Sequence, residues 1–304
     1  MRNLNRRFFL QSAAAASLLS ALPARAQQSA DTMTRTIPGS NMALPAVGLG
    51  SWITFNVGND PVLLDECAAV MDAFFAAGGA MIDSSPMYGS SQNTIGYGLE
   101  KLGRPDVFSA DKVWTPLGAE GQEQVAESRS LWGVPNFSLV QVHNLVSWEE
   151  HLPMLFEMKQ AGDLSHVGIT TSHGRRHDEF ARIMEDHPLD FVQFTYNPLD
   201  REAEERLLPL ARERGMVAII NRPFRQGQLT RRLEGEPLPG FAADLGATSW
   251  AQLILKFILS HPSATLPIPA TTIPSHATEN VGAAAGPMPD GAMREKIASA
   301  IAGV

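Results

Sequence analysis

The chain has a single cysteine, only three tyrosines, and fewer basic than acidic side chains, 24 Lys+Arg against 32 Asp+Glu in 304 residues. One thiol, Cys67, excludes an internal disulfide, and its setting in Leu63, Leu64, Cys67 and Met71 reads as helix core packing. The net charge of −8 argues against nucleic acid or an anionic membrane surface as a partner. Long apolar runs are absent too. The longest mild one, Ser12 to Leu22, is about half the roughly 20 residues that a membrane span requires, so stable membrane insertion is not expected. No Pro/Ser-rich linker divides the chain, and one domain is expected.

The first residues read as an address rather than as fold. Asn5-Arg6-Arg7-Phe8-Phe9-Leu10-Gln11 resembles a twin-arginine export motif, and the apolar stretch after it ends at an Ala24-Arg25-Ala26 cleavage site. Residues 1–26 are therefore expected to be a signal peptide read by the twin-arginine translocation machinery, with 27–34 a linker and a periplasmic destination. Removing the leader takes away four arginines and no acid, leaving 20 basic against 32 acidic residues and a net charge of −12.

What is present is an alternation. Strand-like runs at 47–51, 80–83, 107–112, 139–143, 166–170, 191–196, 216–221 and 264–269 number eight. Between them lie stretches with apolar residues at helical spacing, at 62–77, 122–131, 149–161, 178–185, 202–214 and 249–260. Glycines such as Gly78, Gly103, Gly162 and Gly215 close several of these units. Strict alternation implies a parallel sheet with right-handed crossovers, and eight units close it into an α/β fold, a (β/α)8 TIM barrel over residues 35–304. Ahead of the first strand, Arg35 to Pro38 and Met42 to Pro45 read as a β-hairpin around Gly39-Ser40-Asn41. Residues 222–246, rich in Gly, Pro and Arg, read as a loop without helical period.

Three successive strands end at polar residues with chemistry to offer. The run Ala80-Met81-Ile82 stops at Asp83, with Tyr88 five residues later; the next stops at Lys112 and the one after at His143. In a barrel of parallel strands these ends open on one side, where such folds place their chemistry. A phenol beside an ammonium is a tunable acid, because the cation stabilises the phenolate; Asp83 can keep the lysine charged, and His143 adds a second donor to a substrate oxygen.

These segments resemble the aldo-keto reductase superfamily. The matching pieces are Gly48-Leu49-Gly50-Ser51-Trp52, Ile82-Asp83 through Tyr88-Gly89, Lys112, Val140 to Asn144, Val192 to Asn197, Ile268-Pro269 and Glu279-Asn280, in family order over almost the whole chain after residue 34. The resemblance implies reduction of an aldehyde, ketone or sugar carbonyl with NADPH or NADH. Tyr88 is then the general acid, with Asp83, Lys112 and His143 beside it and Trp52 and Asn144 toward the substrate. It also implies a hairpin that plugs the barrel bottom and a 222–246 loop folded over the cofactor.

The cofactor positions match the family only in part. Gln193 matches the glutamine that holds the carboxamide, but Thr170-Thr171 stand in place of a Ser-Asn pair, and Asn221 before Arg222-Pro223 replaces a stacking aromatic. At the nucleotide end, Ala270 and His276 replace the lysine and arginine that grip a 2′-phosphate, which favours NADH. Thr271, Thr272, Ser275, Glu279 and Asn280 stay candidates for phosphate or ribose contact, with Arg222 or Arg225 as compensating cations. The alternative is an exported barrel with little or no turnover that binds a nucleotide or another ligand. His173 and His177 have i, i+4 spacing, but Gly174 interrupts and no carboxylate or thiolate accompanies them, so no metal site is expected. His173 is read as a contact to substrate or nucleotide; His151, His187 and His261 are read as surface residues.

Overall fold

The computed structural model describes residues 32–304 except residues 38, 41 and 105. The leader and most of the expected linker, together with Pro38 and Asn41 of the hairpin, lie outside the described residues. The hairpin forms from β1 (Thr34–Thr36) and β2 (Ala43–Pro45), paired antiparallel. Eight strands then run parallel in strict sequence order: β3 (Leu49–Gly50), β4 (Met81–Asp83), β5 (Phe108–Val113), β6 (Phe137–Val142), β7 (Leu164–Thr170), β8 (Phe191–Thr195), β9 (Val217–Asn221) and β10 (Thr265–Pro267).

The last strand meets the first. Gly48 N donates to Pro267 O at 3.0 Å and Gly50 N to Pro269 O at 3.2 Å, and Gly50 bridges Ala270 in parallel. A side chain at Gly50 would put its Cβ 2.7 Å from the Ile268 carbonyl, so the seam requires a glycine. Closure removes the sheet edges.

Period-two alternation divides each strand into an inward and an outward set. Met81, Phe108, Ala110, Leu139, Phe191, Val217, Ile219, Leu266 and Ile268 fill the interior, and Ile37 and Leu44 from the hairpin join that cluster, so the hairpin does stopper the bottom. The outward set packs under the helices.

Among the described residues there are ten α-helices: α1 (Pro61–Ala76), α2 (Ser91–Leu102), α3 (Gly121–Trp132), α4 (Trp148–Ala161), α5 (His177–Asp186), α6 (Leu207–Glu213), α7 (Gln228–Arg232), α8 (Trp250–Leu259), α9 (Pro274–Gly282) and α10 (Gly291–Ala302). Four of them, α2, α7, α9 and α10, fall outside the stretches read as helical from the sequence. The stretch 222–246 is not a plain loop, since it holds α7 and a 3₁₀ segment at Gly240–Leu245, anchored by buried Leu229, Leu233, Ala242 and Leu245. Each piece is too short to show a period.

Helix α2, which contains Gly96 and Gly98, has weak intrinsic propensity. Tertiary packing makes it: a Cβ at Gly96 would lie 2.0 Å from Leu131 O in α3, and one at Gly98 would lie 2.4 Å from Met71 Sδ in α1. The glycines let three helices approach closely. Cys67 is buried in the core, donates to Thr54 O at 3.7 Å, and has its thiol pushed up to about 11, first by burial. His151, read as a surface residue, is fully buried with Nε2 2.8 Å from Thr115 O; His187 and His261 are half-buried.

Candidate active site

At the C-terminal rim of the barrel, Lys112 reaches across from β5 to the end of β4. Its Nζ donates to Asp83 Oδ2 at 2.6 Å and to Ser84 O at 2.7 Å, and both side chains are shut off from solvent. Asp83 Oδ1 in turn accepts from Gln193 Nε2 at 3.0 Å and, at 3.4 Å, from Gln141 Nε2. Burial alone would lower the lysine pKa; the charges of Asp83 and Tyr88, with the Asp83 hydrogen bond, outweigh it, and the net direction is up. Lys112 is held as a cation.

Tyr88 ends the 3₁₀ turn Pro86–Tyr88, which begins with Ser85 Oγ accepting from Met87 N at 3.2 Å. Gly89 leaves the turn at φ 61°, where a side chain would collide with Asn56; that asparagine instead accepts from Ser90 N at 2.9 Å and ties the turn to the loop after β3. The Lys112 Nζ sits 5.2 Å from the centre of the phenol ring. The His143 imidazole meets the same ring edge-on, centroids 5.6 Å apart and planes at 87°.

Sequence reasoning expected the lysine to bring the phenol's pKa down. Here burial pushes it up, the Lys112 charge pulls the other way, and burial wins. Burial first, and Lys112 second, hold His143 well below the usual imidazole range, so it is neutral at pH 7.

A cavity of about 360 Å³ opens over these groups. Asp83, Tyr88 and His143 line it, with Trp52 and Asn144, and Ile53, Met87 and Phe224 add apolar surface. Ile53 sits at φ 64°, which a β-branched residue rarely adopts, and is exposed at the mouth. Two neutral donors over a small, partly apolar hollow can hold a carbonyl oxygen and protonate it.

The residues expected at the cofactor divide into two places. Gln193, Thr170, Asn221 and Arg222 line the cavity, together with His173. Thr170 Oγ1 accepts from Asn144 N at 2.9 Å. Thr171 does not line it: its hydroxyl donates to Arg175 O at 2.7 Å, and its carbonyl accepts from Asn221 Nδ2 at 2.9 Å. Asn221 Oδ1 accepts from Thr195 Oγ1 at 2.7 Å, so both ends of that amide are engaged within the protein. Arg222 keeps Nε and Nη1 out of solvent with no hydrogen-bond partner, while its neighbour Asp200 is gripped by Arg225.

The second place is the start of α9, apart from the cavity. Thr272, Ser275 and His276 are exposed there, Thr271 Oγ1 accepts from Ile273 N at 3.0 Å, and the N-cap Ile273 offers no side-chain acceptor to the first turn. An uncapped helix N-terminus flanked by hydroxyls suits a phosphate or ribose. Glu279 and Asn280 lie further along α9, the first accepting from Ser249 Oγ and the second buried. No lysine or arginine occurs from 270 to 282.

Sequence reasoning did not single out Gln141 or Ser85. Gln141 was recoverable, because it lies two residues before His143 on one strand and must face the same way. Nothing marks Ser85 among three nearby serines.

Residues 46–298 match the profile described as the Aldo/keto reductase family. Among curated proteins, the aldo-keto reductase str7 of Strobilurus tenacellus is 29% identical over 260 residues, 72% of this chain and 76% of the relative. The NADH-specific methylglyoxal reductase of Escherichia coli K12 is 27% identical over 240 residues, 67% of this chain and 71% of its own. Among solved structures, an aldo/keto reductase from Klebsiella pneumoniae in complex with NADP and acetate superimposes with a TM-score of 0.75 at 20% identity, covering 89% of this chain and 95% of that one. At that identity the likeness concerns the fold.

Proposed function

The chain belongs to the aldo/keto reductase family, and from that premise we propose a carbonyl reductase in which Tyr88 is the general acid. As a member of that family it is an NAD(P)H-dependent oxidoreductase. The observation that carries the finer reading is the buried Lys112–Asp83 pair, 2.6 Å apart, set under a phenol and a neutral imidazole in one cavity.

The residues present fit a dinucleotide. Gln193 uses its amide nitrogen on Asp83 and keeps its oxygen for a carboxamide; Asn144, Thr170 and the unpartnered Arg222 nitrogens lie along the same wall. The exposed hydroxyls at the start of α9 would take the far end. When bound, NADH or NADPH supplies the hydride for the carbonyl carbon. Negative charge then develops on the substrate oxygen, and the Tyr88 hydroxyl gives up its proton to it while His143 donates a hydrogen bond. Lys112 stabilises the phenolate left behind, and Asp83 keeps Lys112 charged. Trp52, Ile53 and Met87 exclude water on the substrate side.

NADH is the proposed preference, because no lysine or arginine occurs from 270 to 282 to meet a 2′-phosphate. The substrate is proposed to be a small aldehyde or ketone, and methylglyoxal is a rational first test given the Escherichia coli relative. The periplasm remains the proposed destination, on the strength of Asn5 to Gln11 and the Ala24-Arg25-Ala26 site.

Titrating the purified protein with NADH and NADPH by tryptophan fluorescence, then adding aldehyde, tests the reading. Tighter NADH binding and loss of the reduced-nicotinamide absorbance on adding aldehyde are expected. Binding without oxidation by any carbonyl would favour the non-catalytic alternative.

A further inference from the structure

His143 reaches the cavity with one nitrogen only. Its Nδ1 lies 2.7 Å from Ser85 Oγ, and both side chains are buried. Nε2, on the cavity side, has no hydrogen-bond partner among the described residues and is not sealed from the cavity space. A neutral imidazole carries one N–H, and which nitrogen holds it decides whether the cavity meets a donor or an acceptor.

The serine settles that choice. Ser85 Oγ already accepts from Met87 N at 3.2 Å, the bond that starts the Tyr88 turn. If Nδ1–H also donated to Oγ, the serine's own proton would be left in the interior with no acceptor, because among the described residues no other partner is within reach of Oγ. A buried donor left without an acceptor is strongly disfavoured. If instead the hydroxyl donates to Nδ1, every group is satisfied and Nε2 keeps the proton. Ser85 sits fully buried at an extended backbone position, φ −165° and ψ 150°, so its hydroxyl has no solvent alternative.

We infer that Ser85 is a positioning residue which fixes His143 as its Nε2–H tautomer and thereby makes it a dedicated hydrogen-bond donor to the substrate oxygen. The inference deepens the proposed carbonyl reduction and rests on it for its functional meaning, though the tautomer itself does not depend on turnover. One hydroxyl serves two groups: it shapes the turn that presents Tyr88 and orients the donor opposite. The cavity then offers two donors, Tyr88 and His143, to the reacting oxygen. That pattern suits a carbonyl oxygen, which has two lone pairs and no proton, better than a ligand group that must itself donate.

The direct test is ¹⁵N NMR of histidine-labelled protein near pH 7, with the His143 resonances assigned by their loss in His143→Gln. A pyrrole-type Nε2 and a pyridine-type Nδ1 are expected in the unaltered chain. A pyrrole-type Nδ1 would overturn the inference, with no need for any variant to fold. Ser85→Ala should convert His143 to a tautomer mixture and lower kcat/KM about tenfold, the value of one hydrogen bond near 1.4 kcal/mol, with NADH affinity unchanged. Ser85→Thr, which keeps the hydroxyl, should restore both the Nε2–H signature and most of the rate. An unchanged tautomer in Ser85→Ala would also overturn it. If the NMR result holds and no carbonyl is reduced, the failure belongs to the reductase reading and not to the role of Ser85.

Discussion

At the residue scale the proposed chemistry turns on Tyr88, whose phenol is surrounded by opposing influences. Burial raises its pKa and Lys112 lowers it, so the proton stays on the oxygen until charge builds on the substrate beside it. Replacing it with Phe keeps the ring and its edge-on contact with His143 and deletes only the proton. Turnover of Tyr88→Phe is expected to fall by about 10²- to 10⁴-fold, with NADH affinity within about twofold, as measured by stopped-flow and fluorescence titration. Retained turnover would remove the phenol from the mechanism. The sequence made Asp83, Lys112 and His143 legible because each ends a short apolar run, and a parallel barrel sends such ends to one rim. It could not show Thr171 turned toward Arg175 O, since residue type does not fix a rotamer. The direction of the Tyr88 shift was equally out of reach, because it depends on how deeply the assembled site buries the ring.

At the scale of elements, β5 carries charge on both of its faces. Lys112 points inward to the site, while the adjacent Asp111 points outward into a dry pocket, where Gln92 Nε2 donates to its Oδ2 at 2.6 Å and to Ser128 Oγ at 2.8 Å. Its other oxygen has no partner, and burial pushes its pKa up to about 7, against a smaller opposing pull from Lys112. The folded chain therefore holds this proton more tightly than the unfolded one. Stability from this group is full below about pH 4, is lost as pH rises to about 7, and stays lost above that. Asp111→Asn cannot lose a proton. Relative to the unaltered chain it should gain on the order of a few kcal/mol between pH 4.5 and pH 8, measured by urea unfolding; a difference independent of pH would contradict the assignment.

Helix α2 supplies a second prediction at this scale. Gly96→Ala adds helix propensity worth about 1 kcal/mol, but its methyl meets a backbone carbonyl of α3 that cannot move aside. A net loss of about 1–3 kcal/mol is expected in urea unfolding. Gly98→Ala, which meets the flexible Met71 side chain, should cost less. The same glycines explain why this helix was hard to read from sequence: the feature that allows its packing also weakens its local signal. The eight strands were readable for the opposite reason, since each is short, apolar and closed by a turn.

For the whole molecule, the closed sheet brings side chains from β4, β5, β6 and β8 to one rim. Among the described residues no helix is long and apolar enough to cross a membrane. The proposed export depends on the paired arginines ahead of the barrel. Changing Arg6 and Arg7 to Lys should hold the protein in the cytoplasm with its leader uncut, as read by fractionation and the mass of the N-terminus. Periplasmic recovery of that variant would refute the twin-arginine reading without touching the barrel.

Deuterium transfer tests the reductase centre most directly. With NADH carrying deuterium at nicotinamide C4 and methylglyoxal or another small aldehyde in excess, the alcohol product should bear deuterium on the former carbonyl carbon, and Tyr88→Phe should abolish nearly all of it. If the unaltered chain binds the labelled cofactor yet no carbonyl compound acquires the label, the rim of the barrel is not a reductase centre.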